Sequence, residues 1–261
     1  MKNHPGHGRA IAMKYKGQSC RLVEINIKVS LILTVLVGLS FTTFGQDPIK
    51  VAPESYKLQL ENAWVRVLRV HYAPHSKVPV HNHSRFPAAY VYLVDSGPVR
   101  FVHTGWDDPV LTRPATKAGS FRLSPTRFED ETHAVENNGD TASEFLRIEI
   151  KTEAPNRNTL SGRFAPYSGP RGNGLNKVEF ENSQLRVTRM IVKLDTSVEI
   201  AARTDEATLL VVLIPGTEQI IGQTIWLAPG EKKAFANGKS IGTKTAMQLE
   251  LLRFDFKTGP K

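Results

Sequence analysis

Glu61-Asn62-Ala63-Trp64-Val65-Arg66-Val67-Leu68-Arg69 decides the fold, because it returns 120 residues later as Glu181-Asn182-Ser183-Gln184-Leu185-Arg186-Val187-Thr188-Arg189, with the Glu, the Asn, one Val and two Arg identical. In the first copy Val65, Val67 and Arg69 alternate with Arg66, Leu68 and Val70, which is the period of a strand. The ends of the two copies also agree. Phe145-Leu146-Arg147-Ile148-Glu149-Ile150-Lys151 resembles Leu251-Leu252-Arg253-Phe254-Asp255-Phe256-Lys257. A repeat that opens and closes on strands predicts two copies of one β-domain. Further strands are expected at Tyr90–Val94, Val99–His103 and Ser120–Leu123, and no segment of this half has a convincing helical period. The chain is therefore read as all-β.

Working outward, Ala154–Asn176 is rich in Pro, Gly, Asn and Arg and is read as a linker, the alternative being a long loop that wraps a barrel. The domains expected are 50–153 and 177–258. Ahead of them, Lys14, Lys16, Arg21 and Lys28 lead into the apolar run Val29–Phe41 and then Thr43-Phe44-Gly45. That order is a secretory signal peptide over 1–45, cleaved near Gly45-Gln46. The run is shorter than the roughly 20 apolar residues of a membrane anchor. A periplasmic or secreted protein follows, with no membrane attachment after cleavage.

The one cysteine, Cys20, falls within the expected leader, so the mature chain has no thiol chemistry. Removing the six Lys/Arg and one Asp/Glu of residues 1–45 takes the formal charge from +9 to +4. This excess forms no basic run interleaved with aromatics, and nucleic acid is excluded as a partner. Gly-x-Ser-x-Gly, phosphate-binding glycine loops and His-Glu-x-x-His are all absent, which removes common hydrolase and nucleotide chemistries.

His81 and His83 stand two apart at a strand start, so their rings share a face. Gly119 is followed after five residues by Pro125, and His133 after three by Asn137. In these residues the chain resembles the cupin superfamily, well over 56–151 and more faintly over 177–257. The resemblance implies two jelly-roll barrels in tandem, with His81, His83 and His133 in the mouth of the first as ligands to one divalent transition metal. Imidazole suits Fe, Zn, Mn or Ni without choosing among them. Two departures stand out. The motif glutamate is missing, its place falling on Ala88 or Tyr90, and the spacing from Pro125 to His133 is longer than the family's. Glu129, Asp130 and Glu131 lie in that longer stretch, and one of them could complete the ligand set.

Tyr90 and Tyr92 share one strand face and are taken as substrate-binding, although core packing also explains them. His71 and His103 are read as packed or exposed strand residues. His75 replaces a turn glycine, and Arg85 and Arg100 are placed on the surface, the alternative being that they orient an acidic ligand. In the second copy Ala201 and Arg203 stand where the first has His81 and His83, and no histidine follows His133. That half is expected to be structural, with Leu209–Ile214 buried on both faces. The functional expectation is a metal-dependent small-molecule enzyme of oxygenase or isomerase type, or alternatively a noncatalytic module binding a sugar or organic acid, in either case able to pair as a homodimer.

Overall fold

The computed structural model describes residues 46–125, 130–152, 159–172, 174–193, 196–216, 219–236 and 248–260. The expected signal segment and Glu129 lie outside them. Among the described residues, one helical turn, α1 (Pro48–Val51), precedes seventeen strands. The first ten are β1 (Tyr56–Glu61), β2 (Val65–Tyr72), β3 (Lys77–His83), β4 (Ala88–Tyr92), β5 (Val99–His103), β6 (Val110–Arg113), β7 (Phe121–Ser124), β8 (Glu131–Glu136), β9 (Ser143–Ile150) and β10 (Gly162–Phe164). They form a six-stranded sheet, β1-β2-β9-β4-β7-β10, and a four-stranded sheet, β3-β8-β5-β6. The rest are β11 (Leu175–Glu181), β12 (Leu185–Ile191), β13 (Ser197–Ala201), β14 (Ala207–Ile214), β15 (Thr224–Leu227), β16 (Lys232–Ala236) and β17 (Glu250–Phe256). These make a five-stranded sheet, β11-β12-β17-β14-β15, and the pair β13-β16. All named strand pairs are antiparallel, as the all-β expectation requires.

The repeated Glu-Asn explains itself as a turn clamp. Asn62 Oδ1 accepts the backbone N–H of Trp64 and of Val65 (2.8 and 3.0 Å), closing the β1–β2 hairpin. Asn182 Oδ1 does the same for Gln184 and Leu185. Such side-chain closure is the reason Asn favours turns. The lysine ending each repeat then locks the hairpin to its neighbour. Lys151 Nζ reaches Glu61 Oε1 (2.7 Å) and Asn62 O, and Lys257 Nζ reaches Glu181 Oε1 (2.5 Å) and Asn182 O.

Three apolar clusters separate the four sheets. Val65, Val67, Leu146 and Ile148 of the six-stranded sheet meet Val187, Leu209, Leu252 and Phe254 of the five-stranded one. Between the six- and four-stranded sheets lie Leu68, Tyr72, Tyr90, Val99, Val135 and Phe145. Between the five-stranded sheet and the β13-β16 pair lie Ile200, Leu210, Leu251 and Phe235. The six- and five-stranded sheets are thus covered on both sides, which is why β4 and nearly all of β14 are buried without alternation. In the second half, Ala201 and Arg203 are exposed and Ala202 points inward, so the positions matching the histidines are apolar or outside. Part of the expected linker is strand: β10 pairs with β7 and sets Phe164 flat on Phe121, with ring centroids 4.3 Å apart.

Candidate metal centre

The inward aim of His81 depends on a bulge. Val78 pairs with Val135 and His81 with His133, so β3 carries one residue more than β8 between those pairs. Simple alternation from buried Val78 would turn Val80 inward. The extra residue turns Val80 out and brings His81 and His83 to the interior face, at 0% and 2% exposure. A bulge re-aims side chains in this way, and Pro79, which has no N–H to donate, sits within it.

His133 is the register partner of both His81 on β3 and His103 on β5, so three imidazoles form one row across the four-stranded sheet. His83 and Glu131 form the next row. Ring centroids of His81, His83 and His133 are 4.7 to 5.2 Å apart, and one nitrogen from each lies within 4.8 Å of the others. His103, Glu131 and His133 form a second such group. His103 is therefore a site residue, contrary to its reading as an ordinary strand position. Its Nε2 lies 3.1 Å from Glu131 Oε1, and Trp106 stacks on its ring at 3.7 Å.

The tautomer of His81 is fixed by the backbone. Its Nδ1 sits 2.8 Å from Pro79 O, which only accepts, so Nδ1 carries the proton and Nε2 presents its lone pair to the cluster. That Nε2 is 3.2 Å from His83 Nε2 and 2.8 Å from Tyr56 Oη. His133 Nδ1 lies 3.4 Å from Glu131 Oε1, while His133 Nε2 and His83 Nδ1 have no hydrogen-bond partner among the described residues. Burial lowers the pKa of all three rings. His81 falls to about 4, helped by the neighbouring His133, and His83 well below the usual range, with Arg147 adding to burial. Neutral imidazoles with converging nitrogens fit a divalent transition metal.

Opposite them the six-stranded sheet supplies Tyr56, Tyr72, Tyr90, Tyr92, Phe145 and Arg147, enclosing a pocket of about 630 Å³ with its open mouth included. Tyr90 and Tyr92 line it, where they were expected, and belong to the core as well. Arg147, 4% exposed, donates to Tyr90 Oη (2.8 Å) and to Glu149 Oε1 (3.1 Å), and lies 3.5 Å from Glu131 Oε2. Burial alone would raise the Glu131 carboxyl. Hydrogen bonds from His103 and His133, with Arg147 beside it, instead hold it well below the usual range. Tyr56 and Tyr72, buried and joined at 2.5 Å, are pushed up and stay protonated.

The missing carboxylate is answered from elsewhere in the chain. Of the candidate acids, Glu131 enters the cluster. Asp130 instead accepts the backbone N–H of Arg85 on the surface. Ala88, one of the two positions for the absent glutamate, pairs in register with Glu149, whose Oε1 is 3.8 Å from His83 Nδ1. Tyr56, Arg147 and Glu149 were missed by sequence reasoning. The signal for the last two was the alternation of Arg and Glu with apolar residues on a strand now found at the centre of its sheet. Asn137 has a structural duty: its Nδ2 donates to Tyr72 O, Ala73 O and Thr141 O. His71 and His75 are exposed, the latter at φ 57° beside Asp140. Arg100 pairs with Glu136.

Fold and site together define an all-β protein with a buried histidine cluster in its first half. No family model matches the sequence, and no curated protein does. Among solved structures, the chain is similar to a cupin domain from Bordetella pertussis, with 28% identity over 37% of this chain and 91% of that one and a TM-score of 0.30. It is also similar to YhhW from Escherichia coli, at 14% identity, 79% and 91% coverage and a TM-score of 0.48. A third is quercetin 2,3-dioxygenase from Acinetobacter baumannii, at 13% identity, 76% and 75% coverage and a TM-score of 0.47.

Proposed function

We propose that this is an exported cupin-type protein that holds one divalent transition metal on His81, His83 and His133 and acts on a small molecule in the adjoining pocket. The observation that carries this is the convergence of three buried, neutral imidazoles, one nitrogen of each within 4.8 Å of the others. A metal bound there would supply Lewis acidity at the inner wall of the pocket. The chain's own groups have separate tasks. The Pro79 carbonyl orients His81, Glu131 orients His103 and His133, and the Tyr56 hydroxyl offers a proton at Oη to whatever occupies the centre.

One observation favours the alternative, a noncatalytic binding module. Tyr56 and Tyr72 are held protonated and Glu131 ionised, so these groups donate or accept hydrogen bonds without exchanging protons near neutrality. Metal content decides the shared premise. Protein purified without chelator or nickel resin is expected to carry about one equivalent of a transition metal, lost in His81→Ala and His133→Ala. No metal as purified, together with no uptake of added zinc, iron or manganese, refutes it. Export is tested by following the chain in periplasmic and culture fractions with residues 1–45 present or deleted.

A further inference from the structure

We infer that the pocket selects a small organic acid, binding its carboxylate at Arg113 and Arg122, away from the histidines. This deepens the proposed function and rests on that pocket being the ligand site. Arg113, at the end of β6, is 6% exposed and lines the pocket. Its Nη2 donates to the hydroxyls of Ser96 (3.2 Å) and Ser143 (2.8 Å), and it lies over the rings of Tyr92 and Phe145 at 5.3 and 5.5 Å. Its Nε is buried and has no partner, and among the described residues it has no carboxylate counter-ion. Hydroxyls and ring faces solvate a cation without neutralising it, and a buried charge in that state is costly to the fold.

The second arginine repeats the pattern. Arg122 on β7 also lines the pocket, sits over the Tyr90 ring at 4.2 Å, and has a buried Nε with no partner. Its register partner on β10 is Arg163, so two cations face each other directly across a strand pair, an unfavourable placement by itself. Arg163 is exposed and lines the same pocket, together with exposed Leu111 and Thr112 of β6. Strands β6 and β10 are edges of the two facing sheets, so Arg113 and Arg163 flank the opening, with Arg122 on β7, the strand next to β10.

Four other arginines of this half do not share this state. Arg66, Arg69 and Arg100 are each paired to carboxylates, and Arg147 is paired to Glu149 and Glu131. Unneutralised guanidinium groups gathered at one end of one pocket match a carboxylate, which their planar fork binds through two parallel hydrogen bonds. Tyr90 and Tyr92, whose rings lie under Arg122 and Arg113 in the same pocket, would then carry the body of the acid.

The test is calorimetric titration of the full chain, zinc-loaded and zinc-free, with benzoate, its neutral isostere benzamide, and inorganic phosphate. Benzoate is expected to bind at least tenfold more tightly than benzamide. Arg122→Gln and Arg113→Gln are expected to weaken benzoate about tenfold or more, as loss of a charge-assisted contact does. Arg100→Gln, on the surface, is expected to leave it unchanged. Retained zinc uptake shows that a variant is folded; if Arg113→Gln is not, the half-buried Arg122 carries the test. Equal binding of benzamide, no binding of benzoate, or indifference to both arginine variants overturns the inference. Phosphate bound more tightly than benzoate overturns the assignment to carboxylates. Zinc uptake without benzoate binding removes the acid and leaves the metal centre. Benzoate binding without zinc uptake does the reverse.

Discussion

Replacing Arg147 with Met tests whether the polar layer between the histidines and the six-stranded sheet is held by one guanidinium. Arg147 is 4% exposed and stands between two carboxylates that are equally hidden, Glu149 at 3.1 Å and Glu131 at 3.5 Å. Methionine fills much of the volume and supplies no charge, so the loss is electrostatic rather than a cavity. Removing one partner of a buried ion pair costs about 3–5 kcal/mol, because the other charge stays desolvated. Here Arg66 remains 3.8 Å from Glu149, and His103 remains 3.1 Å from Glu131, so the lower end applies, about 3 kcal/mol. For a chain of this size each kcal/mol lowers Tm by about 2–4 °C, giving a fall of about 6–12 °C. Urea denaturation at pH 7, followed by tryptophan fluorescence, measures it. The double variant Arg147→Met/Glu149→Gln removes one stranded charge and is expected to regain about 1 kcal/mol or more over the single variant. A single-variant loss under about 1 kcal/mol, or a double variant no more stable than the single, would refute the ion-layer account.

Metal-free protein is expected to weaken as pH falls from 7 to 5. With His81 at about 4 folded against about 6.5 unfolded, the unfolded chain binds more protons in that window, and His81 alone contributes about 2 kcal/mol of the loss. Urea midpoints that stay flat over this range would contradict neutral burial of the ring. Asn137→Ala removes three hydrogen bonds to main-chain carbonyls and is expected to cost about 2–3 kcal/mol, read from the urea midpoint at constant m-value. Leu209→Ala opens a cavity between the two central sheets and should cost about 2–5 kcal/mol in the same assay, with zinc uptake unchanged because the site lies on the far side of the six-stranded sheet.

Much of the fold was legible because the repeat is written in contacts that are local. Asn62 and Asn182 close hairpins within three residues, and alternation along β2 and β12 sorts faces without reference to anything distant. The continuous burial of β14 followed from an apolar run that no single-sided sheet would tolerate. His81 and His83 share a strand face by their two-residue interval, and the resemblance to the cupin motifs is what joined His133 to them as a ligand. Even there, the face that was inward depended on a bulge, which the sequence marks only by Pro79.

Tertiary structure decided the rest. Which carboxylate reaches the cluster depends on the register of β8 against β3 and β5, and a shift of one residue would exchange Glu131 for Asp130. Glu149 stands opposite Ala88 only because β9 and β4 are neighbours in the sheet although far apart in sequence. The state of an arginine is likewise invisible in a linear pattern. Arg100 and Arg113 look alike in the chain, yet one meets Glu136 at the surface and the other is buried beside two serines. Strand period and turn chemistry are properties of neighbours along the chain, so the sequence carries them. Charge compensation and ligand convergence are properties of neighbours in space, and only the folded sheets bring those together.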